Sequence, residues 1–172
     1  VDIVLANPPF GKKSSMSFTN AEGEQETEDL TYNRQDFWAT TSNKQLNFVQ
    51  HIRAMLKTTG RAAVVVPDNV LFEGGAGEVI RRKLLQNTEL HTILRLPTGI
   101  FYAQGVKTNV MFLTKKSEER IGATKQIWFY DLRAQMPNFG KTRTLTADDF
   151  APFVKAYGPD PFGTAKRKDE GE

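Results

Sequence analysis

An apolar run that ends in two consecutive prolines constrains the fold of this chain more than any other feature. Residues 1–6 read Val-Asp-Ile-Val-Leu-Ala, which is typical of a buried β-strand, and Asn7-Pro8-Pro9-Phe10 follows directly. Proline has no backbone N–H to donate to a sheet ladder, so the strand must end here. The chain then leaves the sheet edge with carbonyl groups in fixed directions, an asparagine acceptor before them and a flat ring after them. Two acceptors and a stacking surface suit the binding of a planar aromatic amine.

The alternative is a turn that only ends the strand and has no binding role, because Asn-Pro and Pro-Pro dipeptides mark turns in many proteins. Three features favour a binding role instead. The motif follows the carboxyl end of a strand, where open α/β sheets bind ligands. Its aromatic residue comes directly after the rigid prolines, and Gly11-Lys12-Lys13 is permissive and basic instead of core-forming.

Length and composition exclude several classes of protein. The 172 residues suffice for one domain with a full core. There is no cysteine, so disulfides and thiolate metal sites are excluded, and two histidines are too few for a histidine metal cluster. No stretch approaches the roughly 20 apolar residues of a membrane span, so we expect a cytoplasmic protein without a membrane partner. A net charge of +3 is compatible with nucleic acid but equally with an ordinary solvated surface.

Periodicity predicts strands that alternate with helices, and therefore a mainly parallel α/β sheet. The predicted elements after the first strand are a helix at 43–57, a strand at 61–66, a helix at 76–86, strands at 90–96, 109–114 and 125–132, and a helix from Thr146 to about 157. The short connection between the strands at 90–96 and 109–114 indicates an antiparallel hairpin. We expect one domain at 1–157, with a long polar loop or disordered segment at 11–34, and a flexible tail at 158–172.

Local patterns give more detailed expectations. Ser42 with Gln45 three residues later predicts a capping box at the first helix. The second helix is expected to face the core with Ala76, Val79, Ile80 and Leu84. The strand at 90–96 is expected to alternate, with Leu90, Thr92, Leu94 and Leu96 on one face.

Other candidate motifs carry less weight. Gly74-Gly75-Ala76-Gly77 precedes a helix but lacks the spacing of a phosphate loop or a dinucleotide fingerprint, so a turn is the better interpretation. His51 and His91 have no partner at catalytic spacing, and structural roles are expected for both. Lys107 and Asn109, near the predicted hairpin, could line a nucleic-acid cleft, although an ordinary exposed loop explains them equally well.

Taken together, the motifs resemble a known family. Asn-Pro-Pro-Phe is similar to the catalytic motif of amino-group methyltransferases that use S-adenosylmethionine, especially the DNA adenine-N6 enzymes. Further stretches resemble the modification subunit of type I restriction-modification systems. They are Ser-Asn-Lys-Gln-Leu-Asn-Phe at 42–48, Val-Pro-Asp-Asn-Val-Leu-Phe at 66–72, Leu-Pro-Thr-Gly-Ile-Phe at 96–101, Lys-Thr-Asn-Val at 107–110 and Ile-Trp-Phe-Tyr-Asp-Leu at 127–132.

The resemblance implies a fold, a reaction and partners. The fold is the C-terminal half of a Rossmann-like methyltransferase, with a mixed sheet that contains an antiparallel hairpin strand. The partners are double-stranded DNA with a flipped adenine, and the specificity and restriction subunits of the same system.

The resemblance also assigns roles to residues of the motif. Asn7, Pro8, Pro9 and Phe10 form the catalytic motif. In it, the Asn7 side-chain oxygen and the Pro8 carbonyl accept the two N6 hydrogens of the adenine, and Phe10 stacks on the flipped base. Lys12, Lys13, Lys107 and Asn109 are the expected DNA contacts.

One departure from the family pattern concerns the cofactor. The glycine-rich loop that holds S-adenosylmethionine, and the acidic residue that holds its ribose, have no counterpart in these 172 residues. Asn7 is expected to touch only the edge of the cofactor.

Two other functions stay open at this point. A glutamine-N5 protein methyltransferase uses a similar Asn-Pro-Pro-Tyr motif, although Phe10 and the later stretches favour DNA. A non-catalytic interaction module would keep the fold while its chemistry has decayed, and the intact motif argues weakly against this.

The missing glycine-rich loop generates the first prediction. The 172-residue chain by itself should show little or no affinity for S-adenosylmethionine and no methyl transfer, because the residues that enclose the cofactor are not among its own. Titration calorimetry measures this directly, and clear saturable binding of S-adenosylmethionine would show that the expectation is wrong.

Overall fold

The computed structural model describes residues 1–10, 15–19, 22–29, 31, 33–101, 105–117, 122–134, 136, 139–140 and 142–167. Its elements in chain order are β1 Ile3–Ala6, β2 Ser15–Thr19, β3 Gln25–Asp29, α1 Lys44–Met55, β4 Arg61–Pro67, α2 Asn69–Phe72, α3 Ala76–Asn87, β5 Thr88–Arg95, β6 Thr108–Lys115 and β7 Trp128–Asp131, followed by a 3₁₀ turn at Ala147–Phe150 and α4 Ala151–Tyr157. None of the helices in these ranges is long and apolar enough to cross a bilayer.

The main sheet has five strands in the order β1-β4-β6-β5-β7. β1 pairs parallel with β4 and β5 pairs parallel with β7, whereas β6 lies antiparallel between β4 and β5. Four strands therefore run in one direction and β6 runs against them. This confirms the predicted mixed α/β sheet and the antiparallel hairpin formed by β5 and β6.

The sheet separates two apolar layers. On one face, α1 and α3 pack through residues such as Leu46, Ile52 and Ile80 against Val64 and Met111 of the sheet. On the other face, Phe153 of α4 packs near Leu94, Leu132 and the partly buried Val65 and Phe112. Neighbouring residues of β4 thus point to opposite layers, as the pleat of a strand requires.

β1 is less buried than predicted. Val4 and Ala6 pack against the core, but Ile3 and Leu5 on the opposite face are 57% and 80% exposed. In the described sheet β1 has a neighbour on one side only, the strand β4. An edge strand with one covered face therefore replaces the expected fully buried strand.

The segment 11–34 is not an unstructured loop throughout. β2 and β3 pair antiparallel, from Ser15 opposite Asp29 to Thr19 opposite Gln25. Gly23 lies between them with a φ of +82°, a conformation that glycine adopts at little cost. The prediction from polar composition was wrong here because a separate two-stranded hairpin needs no apolar period to form its ladder.

Two details of the helices differ from expectation. Asn43, not Ser42, caps α1, and its side-chain oxygen accepts hydrogen bonds from the N–H groups of Gln45 and Leu46. In α3, Ile80 and Leu84 are buried as predicted, but Val79 is 40% exposed. The cap differs from the prediction by one residue, which an apolar pattern does not resolve, and Val79 lies at the margin of the buried face of α3.

The predicted alternation of β5 fails because the strand contains a bulge. Leu90 pairs with Leu113 and Thr92 pairs with Phe112, so His91 is an extra residue. The bulge changes the phase of the strand. As a result Leu90 and Ile93 belong to the α1/α3 layer, whereas Leu94 and Leu96 belong to the α4 layer.

The predicted tail packs against the domain as far as residue 167. The Arg167 guanidinium lies over the rings of Trp128 and Tyr157, at 4.6 and 4.3 Å from their centroids. Its Nη1 donates to Thr92 Oγ1 at 2.6 Å. Residues 158–167 are therefore held on the α4 face of the sheet, while 168–172 lie outside the described residues.

His91 is buried beneath residues 158–167, and its contacts are those of a structural residue. Its Nδ1 is 2.9 Å from Thr92 Oγ1, and a Cβ on Gly163 would overlap its ring. Burial, together with the positive charge of Arg167, lowers the pKa of His91 to about 4. The folded protein therefore favours the neutral ring.

This lowered pKa predicts a pH-dependent loss of stability. Between the ordinary histidine pKa of about 6.5 and about 4, the unfolded chain binds a proton that the folded chain does not. The stability that neutral His91 contributes should therefore be full above about pH 6.5 and should fall as the pH is lowered towards 4. Thermal unfolding of the protein and of His91→Gln, each at pH 7.5 and 5, measures this. Between pH 7.5 and 5, the melting temperature of the variant should fall by less than that of the unchanged protein. An equal fall in both would exclude His91 as the cause.

Candidate active site

The parts of the candidate site meet at one edge of the main sheet. β1, β4, β5 and β7 all end at this edge, because they run in the same direction, and antiparallel β6 begins there. The segments that follow these strands carry Asn7, Asp68, Leu96 and Arg133, and Lys107 directly precedes β6. The predicted position of the Asn-Pro-Pro-Phe motif, after the carboxyl end of a strand, is therefore confirmed.

The motif begins where β1 ends, and β1 ends before the neighbouring strand β4 does. Ala6 is the last paired residue of β1 and lies opposite Val64, whereas β4 continues for three more residues to Pro67. Pro8 is buried, and Asn7 and Pro9 are exposed. The turn thus buries Pro8 and leaves Asn7 exposed.

Phe10 has an aromatic partner that was not predicted as such. Its ring is half-buried and meets the ring of Phe101 edge to face, with centroids 5.1 Å apart and planes at 87°. This is a preferred geometry for a pair of aromatic rings. Phe101 also borders a cavity of about 400 Å³ whose lining includes Val65 and Phe139. The sequence places Phe101 in one of the stretches that resemble the family, but no local signal pairs it with Phe10.

Sequence reasoning missed the central polar group of this edge, the Arg133 guanidinium. Its Nη2 and Nη1 donate to the two carboxylate oxygens of Asp68 at 2.7 and 3.2 Å. Asn109 Nδ2 donates to Asp68 Oδ1 at 2.8 Å, and Arg133 Nη2 lies 3.3 Å from Asn109 Oδ1. Burial raises the pKa of Asp68, but the hydrogen bonds from Arg133 and Asn109 outweigh it and lower that pKa below its ordinary value. Asp68 is therefore ionised and fully occupied.

The residues expected to contact DNA divide into three groups. The expectation for Asn109 was wrong: its side chain is 0% exposed and is bonded to Asp68 and Arg133, so it is not available at the surface. Lys107 is exposed at the same edge, as a contact with a large ligand requires. Lys12 and Lys13 lie outside the described residues.

The residues at this edge do not form a complete cofactor site. An adenosyl cofactor needs a free carboxylate for its ribose hydroxyls. Asp68 is bound to Arg133, and Asp131 Oδ2 accepts a hydrogen bond from Arg95 at 2.7 Å while Oδ1 accepts one from the N–H of Arg133. The two carboxylates that follow or end the strands of this edge are thus engaged in structure.

The other motifs weighed from the sequence lie apart from this edge or have structural roles. Gly75, with a φ of +58°, leads into α3, in agreement with a turn. The Nδ1 of His51, on α1, is 2.8 Å from Arg34 Nη1. His91 is in the bulge of β5, and β4 and β6 separate β5 from β1, the strand that precedes Asn7.

Comparisons with known proteins agree with this geometry. The chain matches the family model described as N-6 DNA Methylase over residues 1–170. It is 51% identical to the type I restriction enzyme EcoKI methylase subunit of Escherichia coli (strain K12), over 99% of this chain and 30% of that protein. It is 32% identical to the EcoEI methylase subunit of Escherichia coli, over 100% of this chain and 32% of that protein. The chain thus spans about a third of the length of these curated relatives.

Solved structures give the same result. The crystal structure of the EcoKI M protein superposes with a TM-score of 0.79 at 49% identity, over 98% of this chain and 32% of that chain. The methyltransferase subunit of a type I restriction-modification system from Streptococcus thermophilus superposes with a TM-score of 0.66 at 25% identity, over 91% of this chain and 31% of that chain. The predicted resemblance and the predicted Rossmann-like methyltransferase fold are both confirmed. Because the family model matches almost every residue, the chain belongs to the N-6 DNA methylase family.

Proposed function

We propose that this chain forms the base-binding side of a DNA adenine-N6 methyltransferase, in the modification subunit of a type I restriction-modification system. The observation that carries the proposal is the Asn-Pro-Pro-Phe turn at the carboxyl edge of a mixed methyltransferase sheet, with Asn7 exposed and Phe10 held by a second ring. Family membership over residues 1–170 and the likeness to type I methylase subunits support it.

The target of such an enzyme is an amine inside a stacked duplex. The adenine must leave the stack before its N6 nitrogen can be reached, so the enzyme needs a pocket for a flipped base. Phe10 provides a flat surface at the site edge, and stacking of a base on an aromatic ring contributes roughly 1–3 kcal/mol. Phe101 keeps the Phe10 ring in place by its edge-to-face contact.

Asn7 and Pro8 act on the amine itself. The N6 nitrogen is a weak nucleophile because its lone pair is delocalised into the purine ring. When the Asn7 side-chain oxygen and the Pro8 carbonyl accept its two hydrogens, the nitrogen becomes more pyramidal and its lone pair turns out of the ring plane. The two acceptors are held in advance by a buried proline, so their orientation costs little at the moment of reaction.

S-adenosylmethionine supplies the methyl group in this chemistry. Most of its binding site belongs to residues outside this chain, and Asn7 is the residue here that would lie at its edge. His91 lies on β5, which β4 and β6 separate from β1, and the ring of His51 contacts Arg34, so we assign the contribution of these residues to positioning and electrostatics and not to a histidine base.

The proposal includes partners of the complete protein. Lys107, and Lys12 and Lys13 in the segment after Phe10, would contact the phosphates of double-stranded DNA. A specificity subunit would select the DNA sequence and a restriction subunit would join the same assembly, as the similarity to type I methylase subunits suggests.

The direct test is the variant Asn7→Ala in the complete methylase, assembled with its specificity subunit. Methyl incorporation into DNA should fall at least about 100-fold, because one preorganised acceptor at the reacting nitrogen is lost. DNA binding should be largely retained, since Asn7 is one small residue of a large interface. Radiolabelled methyl transfer and a DNA titration measure the two quantities.

Asn87→Ala is the matched control for this test. Asn87 ends α3, and its side chain donates only to the Lys83 carbonyl on the same helix. This variant should keep the wild-type rate. Unchanged methylation by Asn7→Ala would contradict the proposed function.

A further inference from the structure

Arg133 ties together the two ends of one loop at the candidate site. Its Nε donates to the Leu96 carbonyl at 2.9 Å, and its Nη2 donates to the Thr108 carbonyl at 2.8 Å. Leu96 ends the β5 segment and Thr108 begins β6, so these carbonyls flank the loop 97–107. The N–H of Leu96 also donates to the Thr108 carbonyl at 3.0 Å. The guanidinium thus lies at the neck of the loop.

Asp68 and Asn109 hold the guanidinium in this position. Asp68 binds it through both carboxylate oxygens, and Asn109 bonds to both Asp68 and Arg133. The N–H of Asp68 also donates to the carbonyl of Lys107, the last residue of the loop, at 2.9 Å. Together, Arg133, Asp68 and Asn109, the neck cluster, connect the ends of β4, β5 and β7 with the start of β6.

The neck cluster is too buried to be an ordinary surface ion pair. The Arg133 side chain is 12% exposed and that of Asp68 is 30% exposed. Removing charges from water is costly, and the cost is offset only when geometry and further hydrogen bonds are favourable. Here the planar Arg133 guanidinium donates at once to the carboxylate of Asp68 and to two backbone carbonyls. A lysine at this position could place its charge near Asp68 but could not make this set of bonds.

The loop that Arg133 closes carries the ring that supports Phe10. Phe101 lies in this loop and meets Phe10 edge to face at 5.1 Å. On its outer side the loop rests on the segment around Phe139. Phe139 N–H donates to the Thr98 carbonyl at 3.2 Å, and a Cβ on Gly99 would overlap the Phe139 backbone. The described part of the loop is thus fixed at its neck and on one side, with Phe101 directed at the motif.

We infer that Arg133 is a positioning residue for methyl transfer: by closing the neck of the loop 97–107 it sets the place of Phe101, and through Phe101 the place of the Phe10 ring against the flipped base. This inference rests on the proposed function, because it assigns Phe10 to the base pocket. Arg133 itself does not touch the base in this account. Its contribution appears in the rate of transfer and not in the affinity for DNA.

The test compares Arg133→Lys with the wild-type residue in the complete methylase bound to its specificity subunit. The substitution keeps the positive charge and removes the planar guanidinium group with its several donors. The single-turnover rate of methyl transfer should fall at least about 10-fold, since a small misplacement of a positioning group is costly. The dissociation constant for DNA should stay within about 3-fold, because Lys107, the proposed phosphate contact of this loop, keeps the hydrogen bond from the Asp68 N–H to its carbonyl. Arg82→Lys is the matched control, since the Arg82 side chain is exposed and pairs only with Glu78 in the described structure.

A double variant separates positioning from a general loss of structure. If Arg133 acts through the loop, Arg133→Lys combined with Phe101→Ala should be no slower than Phe101→Ala alone by more than about 2-fold, because residues that act as one unit are not additive. Rate losses that multiply in the double variant would overturn the inference. So would a folded Arg133→Lys protein whose rate is within 2-fold of the wild type. Circular dichroism spectra and melting temperatures establish that each variant is folded.

Asn7→Ala in the same assay distinguishes this inference from the proposed function. If Asn7→Ala abolishes transfer and Arg133→Lys does not affect it, the proposed function stands and the positioning role of Arg133 is wrong. If neither variant affects transfer, the assignment of the base pocket is wrong, and the inference fails with it.

Discussion

The antiparallel position of β6 between two parallel strands determines where the parts of this site lie. A chain that leaves β5 must return to the same sheet edge to begin β6, so the two ends of this connection, and Phe101 with them, lie at the edge where β1 and β4 end. In an all-parallel sheet the connection would cross to the opposite edge and Phe101 would be carried away from Phe10. Because β6 is antiparallel, Phe101 in the connection between β5 and β6 lies beside Phe10 and forms one side of the candidate base pocket.

This arrangement leaves several strand ends to be held at one place. Backbone carbonyls at such ends need donors, because an unpaired buried polar group costs free energy. Arg133 supplies donors to two of these carbonyls, and Asp68 neutralises its charge. Among the described residues, the strand ends at this edge are thus held from within by the Arg133 guanidinium, while Asn7 of the motif stays exposed.

The sequence predicted the elements with local signals and missed those that depend on distant partners. The proline stop after β1 and the apolar period of α1 both act within a few residues, and each predicted its element correctly. Arg133 could not be found in this way, because Asp68 is 65 residues and Asn109 is 24 residues away along the chain. Asn109 was assigned to DNA because it lies near the predicted hairpin, and only the fold shows that its side chain is buried and bonded to Asp68 and Arg133.

The bulge at His91 links the two ends of β5. One additional residue near the amino end of this strand sets the pairing of everything that follows, up to Arg95 opposite Asn109. The Leu96 carbonyl, which Arg133 binds, comes next. Without the extra residue the strand would present the other side of its backbone at the active edge, and the carbonyl would face away from the guanidinium. The position of the Leu96 carbonyl thus depends on the number of residues within β5, and a single insertion or deletion there would change it without touching any residue of the motif.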